Sequence, residues 1–271
     1  MTGKRGVQPM YSDVAIETAL TLRLLFRLPL RQTEGLLHAV LTLMDVTLPC
    51  PDHTTLSRRN ASVAIQQQVD RAPQAALSLI VDSSGLKVCG QGEWHAQKHG
   101  EKKPKRWKKL HIGVDAQGQI GTAPVTESHA QDPAQVPELL SQVDRIIDHF
   151  LGDGIFDQAP VYTAVENHAP GARVIIPPRR DAVLSPTVTT APTQRDQHVL
   201  AIENVGRCAW KRTSGYYAQS QAENAFSSYK RTFGGVLRSK RDEGQAREAS
   251  LAYELLNRMR ALGRPQSYAV S

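Results

Sequence analysis

Asp82, Asp153 and Glu223 are three acidic residues spread through the chain at nearly equal separations. Asp82 closes the apolar run LSLIVD, and Asp153 sits between glycines in HFLGDGIFD, so each stands where a buried strand gives way to a loop. Glu223 lies in YYAQSQAENAFSSYK, residues 216–230, whose alanine, glutamine and glutamate content favours helix. Ser214 is the expected N-cap, and Gly234-Gly235 the stop. On that helix Tyr216, Glu223 and Lys230 recur every two turns, and Gln219 sits one turn before Glu223. A phenol, an amide, a carboxylate and an ammonium on one face make a poor core stripe. They suit a metal ion with a phosphate chain running past it. Three carboxylates from remote parts of one chain match what two-metal phosphoryl transfer needs. Mg²⁺ takes oxygen ligands and keeps several waters, so few protein ligands suffice. Two ions about 3.5–4 Å apart steady the attacking and leaving oxygens. Taken singly, Asp82 also reads as an Asx turn and Glu223 as a solvated helix carboxylate. Asp157 reads as the cap of the helix that follows it.

The elements that must position these groups follow from periodicity. Residues 13–27 read as an amphipathic helix through Ile16, Leu20 and Leu24, ended by Pro29. A second helix is expected over 32–44. A third, TTLSRRNASVAIQQQV, is capped by Asp52 or Thr54. Three short helices, the third opening with polar and basic residues, resemble a helix-turn-helix unit, with Arg58 and Arg59 offered to DNA. From Leu77 the pattern changes. LSLIVD continuing through SSGLKVCG, then WKKLHIGVD and QIGTAPVTES, read as three strands. A helix from Pro133, a strand IDHFLGD, a helix over 157–168 and a strand RVIIP follow. This succession predicts an α/β domain, a mixed sheet with flanking helices, preceded by a small all-α unit. The expected organisation is a helical unit over 1–73 and a catalytic domain over 74–263, then a tail over 264–271. Residues 177–212, rich in proline, read as a long loop or small insertion. A final helix is expected over 243–262.

The net charge of +7 in 271 residues points to an anionic partner, of which nucleic acid is the commonest. The run HGEKKPKRWKK adds Lys102, Lys103, Lys105, Arg106, Lys108 and Lys109 between the first two strands, where they suit a phosphate backbone. Three scattered cysteines without a C-x-x-C pair argue against a disulfide framework or zinc ribbon and for a reducing compartment. No signal peptide is legible. The apolar stretch 15–30 is broken by Glu17, Arg23 and Arg27, so no membrane partner is expected.

These motifs together resemble bacterial insertion-sequence DDE transposases, in particular the insertion-sequence-five-like group with a Tyr-x2-Arg-x3-Glu-x6-Lys signature. Tyr216, Glu223 and Lys230 fill three of its four positions, and Gln219 stands in the arginine position. Asp82-Ser83-Ser84-Gly85-Leu86-Lys87 resembles the first-aspartate strand, and Asp153-Gly154-Ile155-Phe156-Asp157 the second-aspartate box. The resemblance implies an RNase H-like fold, with Asp82, Asp153 and Glu223 as catalytic residues binding two Mg²⁺ or Mn²⁺ ions. It implies water-driven cleavage of a phosphodiester at the element's end, then joining of the freed 3′-hydroxyl to target DNA. Tyr216, Gln219 and Lys230 are then expected to hold the strand. The expected partner is double-stranded DNA, as terminal inverted repeats and target, bound by a homodimer or larger assembly. The expected location is the bacterial cytoplasm at the nucleoid. Related proteins usually carry a further segment before the first helix. That keeps open a shortened remnant that binds element ends without chemistry, beside a metal-dependent nuclease of the same fold that cuts without joining.

Overall fold

The computed structural model describes residues 10–65, 76–89 and 106–263. Lys102, Lys103 and Lys105 of the basic run, the last residues of the expected third helix and the tail lie outside them. Three helices come first: α1 (Asp13–Leu25), α2 (Leu30–Leu43) and α3 (His53–Arg59). Ser12 caps α1 by accepting from the Ala15 N–H, and Asp52 caps α3 by accepting from the Thr55 N–H. The third helix is therefore much shorter than its sequence suggests. β1 (Leu77–Val88) runs without a break through Ser83, Ser84 and Gly85, so Asp82 lies within a strand and not at its end. β2 (Trp107–Val114) pairs antiparallel with β1, setting Asp82 opposite Ile112 and Ser83 opposite His111. The stretch QIGTAPVTES, expected as one strand, is split at Ala123-Pro124 into β3 (Ile120–Thr122) and β4 (Val125–Glu127), both on β2. Proline has no N–H to give the ladder.

A 3-10 turn (Pro133–Gln135) and α4 (Val136–Ser141) lead to β5 (Ile147–Leu151), which lies parallel to β1. α5 (Ala159–His168) and β6 (Arg173–Ile175) extend the parallel edge. The segment expected as a loop contains α6 (Gln194–Val205) and α7 (Arg207–Thr213). Thr193 and Asp196 form a reciprocal capping box at the start of α6. After a 3-10 turn (Tyr216–Gln219) come α8 (Ser220–Phe233), a short strand β7 (Val236–Leu237) on β1, and α9 (Asp242–Ala261). The result is a mixed seven-stranded sheet, ordered β3-β2-β1-β5-β6 with β4 and β7 as side pairings, and helices on both faces. This matches the RNase H-like expectation.

The period-two alternation of β1 divides the core. Leu77, Leu79 and Val81 face α4 and α5, with Leu139, Phe150 and Val165. Ile80 and Leu86 face α8 and α9, with Ala225, Phe226 and Leu251. Ile16, Leu20 and Leu24 of α1 and Leu56 of α3 belong to that second cluster, so the first helices and the sheet share one core. Among the described residues no helix is long and apolar enough to cross a membrane.

Candidate active site

The parallel pairing of β1 with β5 aligns Ile80 with Leu151. Asp82 follows two residues later within β1, and Asp153 two residues later in the turn beyond β5, the two strands lying about 4.8 Å apart up to that point. β5 stops at Leu151, so the β1 edge beyond Ile80 has no parallel partner at Asp82. That opening lets a mid-strand aspartate reach solvent, and Asp82 is half-buried. Asp153 begins a 3-10 turn (Gly154–Phe156) and accepts from the Ile155 N–H at 2.9 Å. Gly152 leaves room for the ring of Phe156, which an added Cβ would meet at 2.9 Å.

Glu223 arrives on the first turn of α8, exposed, where the helix N-terminus favours a carboxylate. The helix itself starts at Ser220, later than its composition suggests. Ser214 is buried at the end of α7 and caps nothing ahead of α8; Gly215, with φ of 83°, reverses the chain. Tyr216 therefore stands on a 3-10 turn that runs directly into α8, outside the α-helical stripe, and its phenol is acted on by the charge of Glu223. Two contacts pin α8 along β1. The Gln219 amide donates to the Val81 carbonyl at 3.0 Å, and the Lys230 ammonium donates to Ser84 Oγ at 2.6 Å.

Asp153 and Glu223 stand close enough for their charges to act on the Asp82 carboxyl. Burial pushes the Asp82 carboxyl up to about 6, against the Ser83 N–H that stabilises its anion, and the charges of Asp153, Glu223 and Asp132 push the same way. The Tyr216 phenol is raised by burial first, then by Asp153, Glu223 and Asp82. The donor set is hard oxygen throughout, which fits Mg²⁺ or Mn²⁺. Among the described residues no group of three or more His, Cys, Asp or Glu side chains is placed to hold a metal ion.

Other expected contacts fall elsewhere. Gln219 is buried, and its amide donates to the Val81 carbonyl. Lys108 is buried between Glu127 and Asp242, and Lys109 is paired with Asp132 at 3.0 Å. Arg59 is tied to Asp13 and to the Tyr11 carbonyl. Carboxylates within the protein thus engage these cations in the place of phosphate. Arg106, Arg58 and Lys230 are exposed. Asp157 does not cap α5. Its buried carboxylate receives Arg195 at 2.8 Å and the Arg179 N–H at 3.1 Å. Sequence reasoning passed over Asp132 and His111. Asp132 adds its charge to the field at Asp82, and the His111 ring, buried and held near 4 chiefly by desolvation, lies 3.5 Å from it. The sole sequence signal was His111 within a strand otherwise apolar at that point.

A family model described as a transposase DDE domain matches residues 74–257, more than half of the chain. A second model with the same description matches residues 1–91.

Proposed function

Since the chain belongs to the transposase DDE domain family, whose members generally use divalent metal ions, we propose that Asp82, Asp153 and Glu223 carry DNA strand cleavage and joining in this transposase. The observation that carries this reading is the register of β1 and β5. It aligns Ile80 and Leu151, each two residues before one of the aspartates, and the charges of Asp153 and Glu223 both act on the Asp82 carboxyl, which supports this reading.

In this reading the three carboxylates hold two Mg²⁺ or Mn²⁺ ions, which when bound supply Lewis-acid activation of the attacking oxygen and the scissile phosphate. The work of the chain's own residues is positional. Asp82 is set on the most central strand and Asp153 on a glycine-flanked turn, so both offer oxygens from rigid backbone. Gln219 fixes the start of α8 to β1 and thereby the position of Glu223; it is a positioning residue. The raised Tyr216 phenol stays protonated at neutral pH and is a hydrogen-bond donor to the strand, not a nucleophile. Lys230, exposed beside Ser84, supplies a cation to the phosphate track. Duplex DNA bearing inverted ends is the substrate, and two ends brought together call for at least two copies of the chain on DNA.

The test is donor DNA with matched inverted ends, incubated with Mg²⁺. Wild-type protein yields free 3′ ends and joined products. Glu223→Gln binds the same DNA within about threefold and loses cleavage by about a hundredfold or more. Cutting without joining would assign a nuclease instead. Full cleavage by a folded Glu223→Gln protein would sink the site.

A further inference from the structure

A second feature lies away from the carboxylates. A cavity of about 420 Å³ opens where α1, the start of α2, α3 and the loop between β7 and α9 meet. Arg23, Arg58, Arg238, Lys240 and Arg241 line it, and no carboxylate is among its lining residues.

Arg23 is the deepest of them. It is 5% exposed, and its Nε has no hydrogen-bond partner. Its nearest counter-charge is Glu248, at 3.7 Å. That carboxylate is already taken by the N–H groups of Arg238 and Ser239, each at 2.8 Å, and by Ser239 Oγ at 2.6 Å. Arg238 stands close enough for its charge to lower the basicity of Arg23, beside the larger effect of burial. Among the described residues Arg58, Arg238, Lys240 and Arg241 form no ion pair.

The N-terminus of α9 opens onto the same space. Arg241 stands at its N-cap and makes no side-chain cap, so first-turn N–H groups are left for another acceptor. Gly244 lines the cavity, and a Cβ there would stand 3.0 Å from Asn60 Nδ2 and 3.1 Å from Ser239 Cβ. The acids of that turn, Asp242 and Glu243, lie outside the lining, and Asp242 is drawn to Lys108 at 3.1 Å.

We propose that this cavity seats a backbone phosphate of the DNA, an anchor separate from the carboxylate site. The inference rests on DNA being the substrate. β7, which leads into the loop, pairs with β1 at Lys87 and Val88. That places the anchor roughly 20 Å along β1 from Asp82, the length of about six base steps. Lys230 at Ser84 lies between the two along the strand.

The experiment measures duplex binding in EDTA, by anisotropy of a labelled inverted-end oligonucleotide across a salt series. The variant is Arg58→Gln, Lys240→Gln, Arg241→Gln, all exposed positions whose loss leaves the core intact. The slope of log affinity on log salt is expected to flatten by about two to three, and affinity at moderate salt to fall at least about tenfold. Arg173→Gln with Arg180→Gln, exposed cations far from the cavity in sequence, is the charge control and is expected to change little. An unchanged slope in the triple variant, an equal loss in the control, or no duplex binding by wild-type protein overturns the proposal. So does competition by inorganic phosphate at constant ionic strength that erases the difference between wild-type and variant, since that marks a site for a free small anion. Because no cleavage is measured, failure here leaves the carboxylate assignment standing. Failure of Glu223→Gln to block cleavage likewise leaves the anchor standing.

Discussion

At the scale of single residues, burial first and the neighbouring acids second hold the Asp82 carboxyl above the ordinary carboxylate range. Asp82 is raised to about 6 in the folded chain, whereas an aspartate in an unfolded chain ionises near 4. The native state therefore binds the proton more tightly. Stability from this group is fully present below about pH 4 and is lost as pH rises toward 6. Asp82→Asn removes that loss. In EDTA at pH 7.5 the variant is expected to be more stable than wild type by about 1–2 kcal/mol, after allowance for solvent screening of a half-exposed group. At pH 4 the two should unfold alike. Thermal unfolding at both pH values checks this, and a variant less stable at pH 7.5 would deny that the fold disfavours the Asp82 anion. The same scale explains Asp157. Its place in a glycine-led acidic box made it look like a helix cap, but Arg195, remote in sequence, claims it. No local pattern announces a partner so far along the chain.

At the scale of elements, α8 is the part on which the site depends, and a single amide holds its start to the sheet. Gln219 occupies the position of an arginine in the signature this chain resembles. It is nevertheless buried, donating to the backbone next to Asp82. Gln219→Ala is expected to cost about 1–2 kcal/mol, from the unpaired Val81 carbonyl and the space left behind. It should lower strand cleavage by about tenfold or more with DNA affinity nearly unchanged, since Glu223 loses its reference to β1. Titration of DNA binding beside single-turnover cleavage separates the two effects. Equal falls in both would make Gln219 a DNA contact after all. Element existence was largely legible: α1, α2, β1, β2, β5, β6 and α9 stand close to where periodicity and turn residues place them. α6 was not, because prolines precede it and its apolar residues form only a weak stripe. The Thr193-x-x-Asp196 capping box was the available signal. The early end of α3 and the 3-10 start of α8 were also hidden, since composition sets helix propensity but not where backbone hydrogen bonding changes type.

At the scale of the whole molecule, the N-terminal helices and the sheet share one apolar cluster. Leu20 is 1% exposed, packed with residues of the sheet and of α8 and α9. Leu20→Ala is expected to destabilise the protein by about 2–4 kcal/mol. Circular dichroism and tryptophan fluorescence should still report one coincident transition, because the helices cannot release without exposing the sheet face. Two separated transitions would show that the helices fold on their own. The sequence by itself pointed to the transposase family and singled out Asp82, Asp153 and Glu223 as its candidate acids, because those readings depend on residue type and on local strand and helix patterns. It also carried the α/β order and the basic charge. Only the tertiary structure decided which cations remain for an anionic partner and which are spent on internal carboxylates. It alone decided that Asp82 sits mid-strand beside the end of β5, and that basic residues from α1, α3 and the β7–α9 loop surround one cavity. The reason is that charge pairing and strand register join residues far apart in the chain. Their energies depend on distance in space, which no local pattern encodes.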